Sequence, residues 1–260
     1  MSRLVEQLTR SSQTGAPPIG FRTARAAAPK MLVVAVLDDS TSATPERLAG
    51  ADAGLLRVAS LESAAGELEK AASLAPDIPW GVWLRGEAAG HLAQALELRC
   101  DYVVFPAASP ALAVAENGTT GMVVQMEPSV PEGQLRALND LPVDAVLTTG
   151  EEMHGALTWH DLMLWRRVSG LLTIPLIACI PAGVGDGQLQ LLWETGIRGV
   201  VVAAGPEVPA GEMQRLRHAA ASITPRPPRR RQRHEVFLPR MEPATGTVAE
   251  PDEEEEEEEE

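Results

Sequence analysis

Eight short apolar runs, each separated from the next by a stretch rich in Ala, Leu and Glu, constrain this chain more than any other feature. They cover residues 31–37, 53–58, 80–84, 102–105, 122–126, 145–147, 175–180 and 199–203. Their starts lie about 20 to 30 residues apart, room for one strand and one helix each. A strand with one wet face alternates apolar and polar residues. These runs do not alternate, which is the mark of parallel strands buried on both faces. Breaks fall just before several runs, at Gly50, Pro76, Pro79, Pro142 and Gly196. The clearest helical stretches between runs are 61–74, 87–98, 159–171, 188–194 and 210–222, with shorter ones after the first, fourth and fifth runs. Eight strand–helix units in series predict an α/β fold, a compact (β/α)8 barrel over 31–222. The rival is an open doubly wound sheet. It calls for a Gly-x-Gly loop after the first strand, yet Leu37 is followed by Asp38, Asp39, Ser40, Thr41 and Ser42.

The flanks differ in kind from the centre. Residues 1–30 hold five basic residues and one acidic; their first ten read as an amphipathic helix and the rest as a loose lead-in. Residues 31–224 hold 23 acidic and 11 basic residues, an acidic body that disfavours nucleic acid as a partner. Residues 223–260 read as a disordered tail, Arg-rich at 226–233 and then wholly acidic from Asp252 to Glu260. Aromatic residues are only 3% of the chain, so Ala, Val, Leu and Ile must fill the core. The two cysteines, Cys100 and Cys179, sit in apolar runs and read as small core residues of a cytoplasmic protein. No apolar run approaches the length of a membrane span, and none resembles a secretory signal.

In a barrel of this kind, chemistry sits where strands end. The predicted strand ends exclude several classes. Lys30 and Lys70, the only lysines, fall before the first strand and on a helix, so no Schiff-base lysine lies inside. Of five histidines only His154 lies in a strand-to-helix loop, too few for a metal pair, and no metal site is expected. Acidic ligands on successive strands for magnesium are missing, as are the aromatic platforms of a glycosidase. What remains is a mouth with Arg57 and Arg85 to bind an anion, Glu127 as a candidate acid or base, and Thr148 and Thr149 to donate hydrogen bonds. Arg57, Arg85 and Glu127, with Asp38, would equally serve as an ion-pair network closing the barrel top.

The segments 174–185 and 191–205, with Ile180-Pro181-Ala182-Gly183-Val184-Gly185 and Gly199-Val200-Val201-Val202-Ala203-Ala204-Gly205 at their ends, resemble the last two units of phosphate-binding barrels. Those include flavin mononucleotide (FMN) enzymes of the nitronate monooxygenase and inosine-monophosphate dehydrogenase type, and thiamine-phosphate synthase. The resemblance implies that backbone N–H groups at Gly183, Gly185, Ala204 and Gly205 cradle a phosphate, with FMN as a possible cofactor. The chain departs from the pattern where Pro181 removes a donor and Ala204 stands in place of a small hydroxyl residue. Two functions are therefore expected. One is a barrel that binds a phosphorylated small molecule or FMN. The other is a catalytically silent scaffold that meets a partner protein through its charged tail. Whether the chain is an enzyme stays open at this level.

Overall fold

The computed structural model describes residues 2–12, 29–38, 43–110, 119–149 and 156–224. Eight parallel strands close on themselves in sequence order: β1 Leu32–Leu37, β2 Ala53–Val58, β3 Trp80–Leu84, β4 Tyr102–Pro106, β5 Gly121–Met126, β6 Ala145–Thr148, β7 Leu176–Cys179 and β8 Ile197–Ala203. The last strand pairs with the first, Val34 opposite Val201, so no edge is left open. The protein is a (β/α)8 barrel, and its strands stand within a few residues of the eight apolar runs.

Continuous apolarity is explained by two separate cores. One set of alternating residues points inward, among them Val34, Leu55, Trp83, Tyr102, Val104, Val123, Leu147, Ile177 and Val201. The other set, including Val33, Leu56, Val82, Val103, Val146 and Val200, packs against the helices. With few aromatics available, Trp83 and Tyr102 are the largest side chains inside. Tyr102 lies over Gly81 on the next strand, where a Cβ would stand 2.5 Å from its ring. Its hydroxyl donates to the Gly54 carbonyl at 2.7 Å, so the ring is buried without an orphan polar atom. The space left among Leu4, Val34, Leu55, Tyr102 and Val123 is about 10 Å³ and apolar, too small and too dry for a ligand.

The helices are α1 Arg3–Ser12, α2 Pro45–Leu48, α3 Ala64–Leu74, α4 Leu92–Leu96, α5 Glu132–Leu138, α6 Trp159–Leu171, α7 Asp186–Thr195 and α8 Glu212–Ser222. Local chemistry sets their ends. Thr158 and Asp161 form a reciprocal capping box at the start of α6, with hydrogen bonds of 3.2 and 2.9 Å. Gly196 ends α7 in the left-handed conformation, φ +107°. The stretch expected as one helix over 87–98 is instead a 3-10 turn, Gly86–Gly90, followed by α4, with the break at His91. The helices after β1 and β5 are short, as expected; the stretch after β4 includes residues 111–118, outside the described set.

The N-terminal helix, expected as part of a lead-in, is a plug. Leu4 and Leu8 are fully buried and join the inner core at the end where strands begin. Asp101, just before β4, joins Ser2 in capping the helix from 97 positions away in sequence; the Ser2 hydroxyl itself accepts from the Val5 N–H at 3.3 Å. Its carboxylate accepts from the backbone N–H of Arg3 at 2.8 Å and of Leu4 at 3.0 Å, and from the Ser2 hydroxyl at 2.7 Å. Aspartates also precede β2 and β6. There Asp52 accepts from Val33 N–H and Asp144 from Met122 N–H, on the preceding strand. At β4 the same position holds the plug.

Candidate functional site

Strand direction puts the carboxyl ends of β1–β8 at the end away from the plug. Side-chain alternation then decides which residues meet there. Arg57 shares the inward parity of Leu55, Arg85 that of Trp83, Glu127 that of Gln125, and Asp38 that of Val36. Arg57 and Arg85 converge on one indole. The Arg57 guanidinium lies 4.9 Å from the centre of the Trp83 ring and that of Arg85 5.4 Å. Trp83 is completely buried, so its face acts in a medium of low polarity, where a cation–π contact is stronger than in water. Arg57 is half-buried and ion-paired to exposed Asp38 at 2.7 Å. Arg85 is exposed, and among the described residues no carboxylate forms an ion pair with it.

The other expected residues are placed as follows. Glu127 is exposed at the end of β5 and accepts from the Ser129 hydroxyl at 3.3 Å, with no ion pair to either arginine. Thr149 reaches the mouth, where its hydroxyl oxygen accepts from Gln125 Nε2 at 3.4 Å. Thr148 does not. Its parity is that of Val146, facing the helices, and its hydroxyl donates to the Ile177 carbonyl at 3.2 Å. Asp39, Ser40, Glu151, Glu152 and His154 lie outside the described residues.

The glycine cradle is largely filled by the chain itself. Gly183 adopts φ +82°, a conformation that favours glycine, but its N–H donates to Glu212 Oε1 at 2.8 Å. The Gly185 N–H donates to Gln188 Oε1 at 2.9 Å, and the Ala204 N–H to the Val36 carbonyl at 2.9 Å. Gly205 offers its carbonyl to Arg47. Glu212 is a charge held nearly out of solvent, 8% exposed. Hydrogen bonds from Arg215 hold its carboxyl below the usual carboxylate range, helped by the Gly183 N–H and opposed by burial. A carboxylate thus sits where the resemblance would place a phosphate, and these loops do not fit the phosphate of FMN as they stand.

One group escaped the sequence reading. Gln125 accepts from the Trp83 indole N–H at 2.7 Å. Cys179 is a core residue, as expected, and its side chain lies at the top of the inner face, near both arginines. Burial pushes its thiol up to about 12 despite their charge, so it stays protonated and is a poor nucleophile. A recess of about 640 Å³ lies at the other end, beside Trp80, Arg99 and Cys100. Its thiol is likewise pushed up by burial, to about 11.

No protein-family model matches this chain, and no curated protein does. Solved structures do match in fold. Thiamine phosphate pyrophosphorylase from Pyrococcus furiosus aligns over 76% of this chain and 98% of its own, with TM-score 0.57 and 15% identity. Orotidine 5'-phosphate decarboxylase from Pyrococcus horikoshii OT3 aligns over 73% and 99%, with TM-score 0.55 and 11% identity. A mutant tryptophan synthase alpha-subunit from Pyrococcus furiosus aligns over 74% and 97%, with TM-score 0.54 and 15% identity. At such identities the likeness establishes the barrel fold alone.

Proposed function

We propose that this (β/α)8 barrel binds a small molecule carrying a phosphate or similar anion, held at the mouth by Arg57 and Arg85. One observation carries the reading: two guanidiniums lie over the ring of one buried indole, and among the described residues no carboxylate forms an ion pair with Arg85. Two like charges brought together on a low-dielectric surface repel unless an anion joins them. Guanidinium edges offer forked donors suited to phosphate oxygens. Because Trp83 and the residues beneath it fill the interior, the ligand sits above them, among the loops at the strand ends. Anion recognition therefore belongs to β2 and β3, while the glycine loops after β7 and β8 serve the protein's own contacts.

A catalytic role would fall to Glu127, the exposed carboxylate at the end of β5. A second reading, a barrel that binds without turning over, is favoured by the self-satisfied glycine loops and the protonated Cys179 thiol. In that reading the protein is a scaffold or regulatory subunit, and the charged segment 225–260, outside the described residues, meets a partner protein. A pull-down with and without that segment tests it.

The binding reading is tested by thermal melting in inorganic phosphate and in FMN. At a hundredfold excess over Kd a ligand stabilises by about 2.7 kcal/mol, a rise of roughly 5–10 °C for a domain of this size. Arg85→Ala is expected to melt close to wild type without ligand and to lose the rise with it. A wild-type protein indifferent to both anions overturns the reading. A large drop in the melting temperature of Arg85→Ala without ligand makes the arginine structural.

A further inference from the structure

Gln125 is the feature of the mouth that the anion-binding reading leaves unexplained. By alternation, Arg57 and Gln125 are the strongly polar side chains that the described strands place on the inner face; the rest of that face is apolar apart from the Tyr102 hydroxyl and the Cys179 thiol. A half-buried amide in such a place needs partners. Gln125 has one on each side. Its Oε1 accepts from the Trp83 indole N–H at 2.7 Å, and its Nε2 donates to Thr149 Oγ1 at 3.4 Å. The indole N–H can only donate, which fixes which end of the amide faces it. The contact reaches from β5 to β3 over the intervening β4.

We infer that Gln125 is a positioning residue for the anion site: it fixes the rotation of the Trp83 ring, and through that ring the places of both guanidiniums. The inference rests on the binding reading above. A tryptophan side chain pivots about two bonds, and burial alone restrains it less sharply than burial with its one polar atom pinned. Arg57 and Arg85 touch the face of the ring, whereas Gln125 holds its edge. The hydrogen bonds of Gln125 go to Trp83 and Thr149, so its effect on the anion is read through Trp83.

A double-mutant cycle in the full chain tests this, with inorganic phosphate as the probe. Gln125→Met keeps the length of the side chain and removes both hydrogen bonds. It is expected to weaken phosphate binding about tenfold and to abolish the near-ultraviolet circular dichroism band of Trp83, obtained as the difference between wild type and Trp83→Phe. In the Trp83→Phe background, Gln125→Met should change the phosphate Kd little, because the atom that Gln125 holds is gone. Gln125→Glu, which keeps an acceptor for the indole N–H, should restore the Trp83 band. It also covers the case in which Gln125→Met fails to fold: a Trp83 band of wild-type strength with phosphate binding weakened by the new charge supports the inference, and a lost band overturns it. Equal phosphate affinity in Gln125→Met and wild type, or the same loss in both backgrounds, also overturns it, while leaving Arg85 free to prove the binding reading. A wild type that ignores phosphate removes the binding reading, and this inference with it.

Discussion

Glu212 shows how one residue redirects a loop. Its carboxylate joins the Gly183 N–H, at the turn after β7, to Arg215 on its own helix, and Arg215 continues to the Val184 carbonyl at 2.7 Å. Because the folded protein holds this carboxyl below its unfolded value, the contact stabilises fully above the unfolded pKa. It is lost as pH falls through the folded one. Glu212→Gln is therefore expected to cost about 1–3 kcal/mol at neutral pH. The gap to wild type should close as the pH drops below about 4, which melting curves at several pH values would show. A gap that stays constant to low pH would mean that the ionised form contributes nothing. Gly81 is the matching case for packing. Its Cβ would meet the Tyr102 ring at 2.5 Å, so Gly81→Ala forces the largest inner side chains apart, at about 1–3 kcal/mol.

Among the elements, α1 behaves as part of the barrel although residues 13–28, outside the described set, separate it from β1. Leu4 and Leu8 complete the inner core at the floor, and Asp101 adds to the local Ser2 cap by accepting from the Arg3 and Leu4 N–H groups. Leu8→Ala is expected to destabilise the whole protein by about 2–5 kcal/mol, the cost of a core cavity, and not merely to fray a terminus. Asp101→Ala should cost about 0.5–2 kcal/mol and speed hydrogen exchange in α1 before that in the strands. Unchanged global stability in Leu8→Ala would show that the plug is dispensable. Elsewhere, arginines on helices clamp loops by their carbonyls. Arg47 on α2 holds Gly205, Pro206 and Val208 after β8, and Arg167 on α6 holds Pro128 and Val130 after β5. A planar fork with several donors suits this task better than an ammonium, in keeping with a chain that has only two lysines.

At the scale of the molecule, closure is what makes the parts interdependent. Residues 1–225 form one compact unit in which each strand borders two others and the helices cover the outer face. No strand can leave without exposing two rows of backbone groups, so this unit is expected to unfold in one transition. Far-ultraviolet circular dichroism, which follows the helices, and near-ultraviolet circular dichroism, which follows the buried tryptophans Trp80, Trp83 and Trp165, should share a midpoint. Separate midpoints would show that the barrel opens in parts. Among the described residues, no helix is long and apolar enough to cross a membrane.

The order and approximate limits of the eight strands were legible in the sequence, because burial on both faces writes itself as unbroken apolar runs whatever the neighbours are. So was the meeting of Arg57 and Arg85, since two residues at the ends of adjacent parallel strands must share a mouth. Thr148 and Thr149 could not be told apart that way: one residue of register sends the first to the helices and the second to the mouth. Nothing local in the sequence marks Gln125 as the partner of Trp83, Asp101 as the cap of α1, or Glu212 as the anion at Gly183. Each joins residues 29 to 99 positions apart. Hydrophobic periodicity reports what a segment buries, whereas a hydrogen bond between distant segments exists only once barrel closure has fixed their distance and direction.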